Sequence, residues 1–295
     1  MNGKDMNRNA TGCTDDYELL DSGDGRKLER FGQVTLARPC SQAMWRPRLP
    51  ESEWNRASAS FDREDGNRWH GRSRLPESWN ITAAGIKFRL SGTDFGHLGI
   101  FPEQRAQWRW IREQCSLRGS AEGTRCRVLN LFAYSGGSTM AAALGGAEAC
   151  HLDASRGMVQ WARENAALNG LADHPIRWIT DDAHKFLARE ARRGREYDAV
   201  IFDPPTFGRG ANGETYKIER DLKETISLVK GVLSKKPAFV LFSSHTPGLS
   251  PVVAAHIMEQ SFPNAAKVES GEMLLEGAPG VFVCPSGVFS RVVFG

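Results

Sequence analysis

With 295 residues, 40% of them hydrophobic and 25% charged, the chain can build one large or two modest globular domains, which excludes a disordered or fibrous polymer. A formal net charge of +3 is too small by itself to indicate a polyanionic partner. The first residues are polar, without the apolar core of a signal peptide, and no apolar run reaches the length of a membrane span, so the expectation is a soluble, cytoplasmic protein without membrane contact.

Residues 1–14, rich in Asn, Gly and Thr, read as a frayed tail. From 15 to 100 short alternating runs trade places with turn residues, with Gly25, Gly66, Gly85 and Gly92 at the turns; this predicts a small β-rich amino-terminal domain of strands and hairpins, a candidate for substrate binding. Arginines recur in and just after it (Arg46, Arg48, Arg56, Arg63, Arg68, Arg72, Arg74, Arg89, Arg105, Arg109, Arg112), interleaved with Trp45, Trp54, Trp69, Trp79, Trp108 and Trp110. One reading is a surface that pairs guanidiniums with phosphates and stacks bases on indoles. The other, favoured for most individual residues, is that the tryptophans fill a small core while the arginines are solvated. The region as a whole stays a candidate.

Residues 101–295 read as a second domain. Pro102 to Leu117 predicts a helix with proline at its first position and Trp108, Ile111 and Cys115 on one side, followed by a linker over Gly119 to Thr124. Val128 to Leu131 is a buried strand; a turn at Tyr134, Ser135, Gly136 and Gly137 leads into a helix; and Ala149 to Leu152 is a second strand ending on Asp153. Such a β-turn-α-β unit lets a ligand approach the backbone at its glycines, and its acid can accept the hydroxyl hydrogens of a ribose. Gly136 and Gly137 are adjacent and no G-x-G-x-x-G is present, so a nucleoside without phosphates fits better than a dinucleotide.

The alternation then continues. A helix from Met158 to Asn169 precedes a strand, Ile176 to Thr180, ending in Asp181 and Asp182. A helix from Ala183 precedes the strand Ala199 to Phe202, ending in Asp203. A loop through Gly213, a helix from Ile218 to Leu233, a strand Phe239 to Phe242 and a helix from Pro251 to Gln260 follow, and the tail reads as β structure. Repeated βα units predict an α/β fold: a Rossmann-like, mostly parallel sheet with helices on both faces and an antiparallel last strand. Ligands of such sheets lie beyond the carboxyl ends of the strands.

Asp203 opens the segment DPPTFG. Pro204 and Pro205 stiffen the backbone after the strand and aim the Asp203 carboxylate and the Pro204 carbonyl into the cleft; Phe207 offers a ring for stacking a planar substrate. An acid and a carbonyl that accept hydrogen bonds from an amino group would align its nitrogen for an in-line displacement at a methyl carbon.

The set FPEQR (Phe101 to Arg105), NLFAYSGG (Asn130 to Gly137), Asp153 with Ser155, DDAHKF (Asp181 to Phe186) and DPPTF (Asp203 to Phe207) resembles class I S-adenosylmethionine-dependent methyltransferases, and more closely the bacterial 23S ribosomal RNA cytosine-C5 methyltransferases. The resemblance implies S-adenosylmethionine as cofactor. Phe132, Ala133, Tyr134, Ser135, Gly136 and Gly137 would surround its methionyl part, and Gln104 would approach the amino-acid end. Asp153 would take the ribose hydroxyls, Asp182 with Ala183 would face the adenine, and Asp203 with Pro204 would line the point of methyl transfer.

Two departures from that family matter. Its RNA-binding PUA domain is not recognisable, so substrate capture falls to the Arg- and Trp-rich part. Methylation at C5 of cytosine also needs a thiolate that adds to C6, commonly placed after the fifth strand, where this sequence has Phe242, Ser243, Ser244 and His245. A nitrogen acceptor is therefore preferred over carbon. His245 is a candidate base or RNA contact, with a surface or capping role as the plain alternative. The six cysteines (Cys13, Cys40, Cys115, Cys126, Cys150, Cys284) show no metal-ligand spacing and read as thiols of a reducing compartment, with no metal expected. The function expected is methylation of a base in RNA, ribosomal RNA first; a protein or small-molecule acceptor, or a silent RNA-binding relative, are the alternatives.

Overall fold

The computed structural model describes residues 15–63, 66–210 and 213–295; the tail expected over 1–14, with Cys13, lies outside the described residues. Contacts divide the chain into two units, one ending at Leu98 and joined by Gly277–Val281, the other formed by Gly99–Glu276 and Phe282–Gly295. Residues 277–281 thus return to the first unit, although 101–295 reads as continuous in sequence.

In the first unit β1 (Tyr17–Gly23), β2 (Arg26–Phe31) and β3 (Val34–Pro39) are followed by one helical turn, α1 (Glu51–Trp54), then β4 (Ala59–Asp62) and β5 (Arg68–His70), and these strands form a sheet in sequence order. β6 (Trp79–Ala83) and β7 (Ile86–Leu90) form a separate hairpin. Strands alone were expected here; α1 forms because Pro50 precedes it and Glu51 and Glu53 place negative charge in its first turn. Alternation sets the faces: Ile86, Phe88 and Leu90 of β7 are buried while Lys87 and Arg89 are exposed. Two buried acids are fully engaged. Glu29 accepts from Tyr17 Oη at 3.0 Å and Arg38 Nε at 2.8 Å, and Asp21 accepts from the backbone of Arg48 and Leu49 and from Trp54 Nε1.

The tryptophans of this unit are structural. Trp54 and Trp69 are buried, Trp45 and Trp79 are half-buried, and every indole N–H has a protein acceptor: Ser22 O for Trp45, Asp21 for Trp54, Thr93 O for Trp69 and Phe31 O for Trp79. The base-stacking reading of these indoles is thereby replaced by a packing one.

The second unit begins with a single-turn 3₁₀ segment, Pro102–Gln104, and α2 (Arg105–Glu122). The helix runs through most of the stretch expected as a linker, because an Arg118–Glu122 pair one turn apart supports its last turn and Gly123, at φ 65°, supplies the left-handed stop. Next come β8 (Arg127–Leu131), α3 (Gly137–Leu144), β9 (Glu148–Asp153), α4 (Arg156–Leu168), β10 (Ile176–Thr180), α5 (Ala183–Arg192) and β11 (Ala199–Phe202). The expected loop after β11 instead contains an antiparallel pair, β12 (Phe207–Arg209) and β13 (Thr215–Lys217). Three-residue strands carry too little alternation to be seen in sequence. The chain closes with α6 (Ile218–Lys230), β14 (Phe239–Ser244), α7 (Pro251–Ser261), β15 (Lys267–Leu275) and β16 (Cys284–Val293).

The seven-stranded sheet has the order β10-β9-β8-β11-β14-β16-β15. It is parallel from β10 through β14, and β16 runs antiparallel to both of its neighbours. β11 and β14 are buried along their whole length, as strands covered by helices on both faces must be. Leu129, Leu131, Val200, Phe202, Val240 and Phe242 share one core with residues of α5, α6 and α7, whereas α2, α3 and α4 pack in a row with one another. The first strand, β8, lies between β9 and β11, so the strand order reverses there, which is where sheets of this kind form a ligand crevice at their carboxyl ends. Among the described residues no helix is long and apolar enough to cross a membrane, and no His, Cys, Asp and Glu cluster could hold a metal ion.

Candidate active site

Four spatially adjacent strands, β10, β9, β8 and β11, carry the sequence-predicted residues at their carboxyl ends. After β8 the chain makes a strained turn in which Phe132 and Tyr134, neither a glycine, take φ of 54° and 49°, and Gly136 takes 90°. Hydrogen bonds hold this shape: Ala133 N donates to Leu152 O, Gly136 N to Ala133 O, Ser135 Oγ to Gly99 O at 2.6 Å, and Asn165 Nδ2 to Ser135 O at 2.9 Å. The glycines are fixed by protein packing. A β-carbon at Gly137 would lie 2.6 Å from the Trp108 ring, and one at Gly136 would lie 3.0 Å from both Ala162 and Met140. The ligand-approach reading of the pair therefore has a second, structural reason beside it.

Asp153, at the end of β9, accepts Tyr134 N at 2.9 Å on one oxygen and Ser155 N at 2.8 Å on the other. Burial raises its carboxyl pKa against the pull of those two amides. It ties the glycine turn to β9 while each oxygen keeps a further lone pair. Ser155 accepts Met158 N and caps α4.

At the end of β10 the two neighbouring acids have different duties. Asp181 accepts Asp182 N and pairs with Arg189, so it is committed to the fold. Asp182 caps α5 by accepting Lys185 N at 2.9 Å, and Ala183 is buried at the first position of that helix. Tyr216 of β13, which carries no signal in the sequence, packs its ring 5.2 Å from that of Phe132 and 5.8 Å from that of His184.

Asp203, at the end of β11, is the centre of the richest network. Its Oδ2 accepts Gln104 Nε2 at 3.0 Å, and the same amide nitrogen donates to Ser243 Oγ at 3.0 Å. Its Oδ1 is buried and has no hydrogen-bond partner among the described residues. His245 Nδ1 stands 3.7 Å from that oxygen, an ion-pair distance too long for a hydrogen bond, and His245 Nε2 lies 3.0 Å from Glu103 Oε1. Burial lowers the His245 pKa, but Asp203 and Glu103 outweigh it and hold the ring near pKa 10, so it is an imidazolium at neutral pH rather than a base. Ser286 Oγ also donates to Glu103 Oε1. Phe101 packs between the His245 ring, 5.0 Å away, and the Tyr134 ring, 5.2 Å away. Only the short distance in sequence between Glu103 and Gln104 hinted at this role for Glu103.

Pro204 is buried and Pro205 exposed beside Gly208. Phe207 sits half-exposed on β12, with the Arg209 guanidinium 5.7 Å from its ring centre. β14 ends on Ser243 and Ser244 and is followed by His245, with no thiol among them. Cys126 lies at the amino end of β8, away from the crevice, and Cys284 is fully buried.

A family model described as S-adenosylmethionine-dependent methyltransferase matches residues 60–237. The chain is similar over 95% of its length to a SAM-dependent methyltransferase from Agrobacterium tumefaciens, with 36% identity, a TM-score of 0.88 and 91% of that chain covered. A SAM-dependent methyltransferase from Streptococcus mutans shares the fold at 19% identity and a TM-score of 0.70, over 95% of this chain and 75% of the other. Among curated relatives, the ribosomal RNA large subunit methyltransferase K/L of Shewanella baltica is 32% identical over 155 residues, 52% of this chain and 20% of that protein. The chain thus spans about a fifth of the length of the curated relatives it matches.

Proposed function

We propose, for a chain that belongs to the S-adenosylmethionine-dependent methyltransferases, that it methylates an amino nitrogen of a base in ribosomal RNA, in the cytoplasm. The cofactor is S-adenosylmethionine, which supplies an electrophilic methyl group on a cationic sulfur. Asp153, with a spare lone pair on each oxygen, holds the ribose hydroxyls. The Phe132 to Gly137 turn and Gln104 take the methionyl part, Asp182 and Ala183 border the adenine, and Ser155 fixes the loop after Asp153.

The observation that carries the reading is Asp203 Oδ1. Buried carboxylate oxygens are nearly always hydrogen-bonded, so one left unmatched at the carboxyl end of a central strand points to a donor brought by a ligand. An amino group donating there and to the Pro204 carbonyl has its nitrogen lone pair directed away from both, towards the methyl carbon. Phe207 supplies an exposed ring for the base. Ser243 and Ser244 at the end of β14, in place of a thiol, favour nitrogen over C5 of a pyrimidine.

Two observations support ribosomal RNA as acceptor: the names of the curated relatives, and exposed Arg46, Arg63, Arg68 and Arg74 in the amino-terminal unit, which suit a phosphate backbone. Incubation with labelled cofactor and unmodified ribosomal RNA, followed by nucleoside mass spectrometry, is expected to give an N-methylated base. Label found only on protein or small molecules would overturn the proposal.

A further inference from the structure

Two carboxylates approach His245 from opposite sides. Glu103 Oε1 meets Nε2 at 3.0 Å, and Asp203 Oδ1 stands 3.7 Å from Nδ1. The side chains come from three separate places in the fold: the turn Pro102–Gln104, the end of β11, and the residue after β14. Glu103 is almost fully buried, while the His245 side chain keeps 31% exposure. Glu103 is anchored independently by Ser286 at the start of β16, so it does not depend on His245 for its place. The charged groups facing the ring are these two carboxylates; the Phe101 ring packs against it at a tilt, and Gln104 donates to the other oxygen of Asp203.

We propose that Glu103 and His245 are positioning residues that form a charge clamp: the imidazolium cancels one of two neighbouring carboxylates and keeps Asp203 as a single, oriented anionic acceptor. The inference rests on the reading of Asp203 given above. Its physical logic concerns charge: methyl transfer breaks the S–C bond, forms the N–C bond and moves the positive charge from the sulfonium to the acceptor nitrogen, which then sheds a proton to solvent. An anionic Asp203 beside that nitrogen stabilises the charge as it arrives, and Glu103 offsets the imidazolium that would otherwise oppose it. The pKa near 10 that the two acids impose on His245 means that the clamp stays closed across the neutral range.

The test uses the full chain and begins without RNA. The Cε1–H resonance of His245, assigned by its loss in His245→Gln, is expected to stay at the imidazolium position from about pH 6 to about pH 8.5, and Glu103→Gln should lower its midpoint by at least about one unit, a tenfold change in proton affinity. A wild-type midpoint between about 6 and 7, near the value of a free histidine, would overturn the proposal. Calorimetry supplies a second readout: because His245→Gln leaves more negative charge, it should tighten S-adenosylmethionine relative to the neutral thioether product by about threefold to tenfold. Equal changes for the two ligands would also overturn the proposal.

With RNA, Glu103→Gln, in which the imidazolium is no longer offset, should show a reduced kcat that recovers as pH rises through its lowered His245 midpoint, with KM for the cofactor within about threefold; parallel pH profiles would count against the clamp. If wild type methylates no RNA, the functional reading fails, while the titration and the two-ligand comparison still decide this inference.

Discussion

Asp198 and Asp203 flank the same four-residue strand, β11, and differ in almost every respect that separates a structural acid from a working one. Asp198 accepts three hydrogen bonds from Arg127, from its backbone N and Nε at 3.0 Å and from Nη2 at 2.9 Å. Burial raises its pKa, but Arg127 more than offsets this and holds the carboxyl below its usual range. Asp203 has one full hydrogen bond, from Gln104, and one buried oxygen without any. At the amino end of the sheet the acid is saturated by the fold; at the carboxyl end it is held but left with capacity. Residue type and position beside a strand are the same at both ends. Satisfaction is what distinguishes them.

Substituting the two acids should therefore have opposite signatures, and this comparison carries the largest expected effect. Asp203→Ala removes the proposed acceptor at the reacting nitrogen and is expected to lower kcat by about 10²–10³-fold, as loss of one preorganised transition-state partner does. Its affinity for S-adenosylhomocysteine should stay within a few-fold and its melting temperature should stay near that of wild type. Asp198→Ala should leave kcat of the folded enzyme unchanged and cost about 2 kcal/mol of stability, because Arg127 loses its partner but remains partly in water, with 46% of its side chain exposed. Chemical denaturation and single-turnover kinetics on both variants separate the two cases. If Asp198→Ala proved the slower enzyme, the contrast drawn from satisfaction would fail.

The same contrast divides the histidines. His151 is fully buried in β9, with Nδ1 2.9 Å from Thr139 Oγ1 and no partner for Nε2 among the described residues. Burial, aided by the Arg163 charge, lowers its pKa to about 3. Above the unfolded value of about 6.5 both states are neutral and the residue has no effect on stability; below it only the unfolded chain takes up a proton, so stability falls with falling pH until the folded pKa is reached. By pH 5 the loss should be about 2 kcal/mol, and His151→Gln should flatten that part of the stability profile. His245, already protonated in the fold, should contribute nothing to acid destabilisation in this window. Urea titrations at a series of pH values check both statements.

Much of this arrangement could be read from the chain itself. β8, β9, β11 and β14 are short apolar runs bounded by turn residues, and complete burial leaves them no other pattern. The four acids at the ends of β9, β10 and β11 were equally visible, because they sit one or two residues beyond such runs. What the sequence could not supply is which oxygens remain unengaged. Asp181 and Asp182 are adjacent, yet only the fold shows Arg189 turning back onto the first of them. Glu103 and His245 lie far apart along the chain and meet only because the segment before α2 packs beside the end of β14. The tryptophans were legible as core residues for a simpler reason: a small β unit has few other large side chains with which to fill its interior.

Asp182 gives the finest version of the comparison, since it belongs to both classes at once. Its Oδ1 caps α5 by accepting Lys185 N, a structural duty, while its neighbour Ala183 borders the proposed adenine site. Asp182→Ala should cost about 1 kcal/mol through the lost cap and cannot by itself reveal a binding role. Asp182→Asn keeps a side-chain carbonyl for the cap, so its stability should stay within about 0.5 kcal/mol of wild type. Any loss of cofactor affinity in the asparagine variant then measures the carboxylate's interaction with a ligand donor alone. A charge-assisted hydrogen bond of that kind corresponds to a loss of about tenfold. An asparagine variant with unchanged affinity for both S-adenosylmethionine and S-adenosylhomocysteine would assign Asp182 to the fold, alongside Asp181 and Asp198, and leave Asp153 and Asp203 as the acids that face the cofactor and its acceptor.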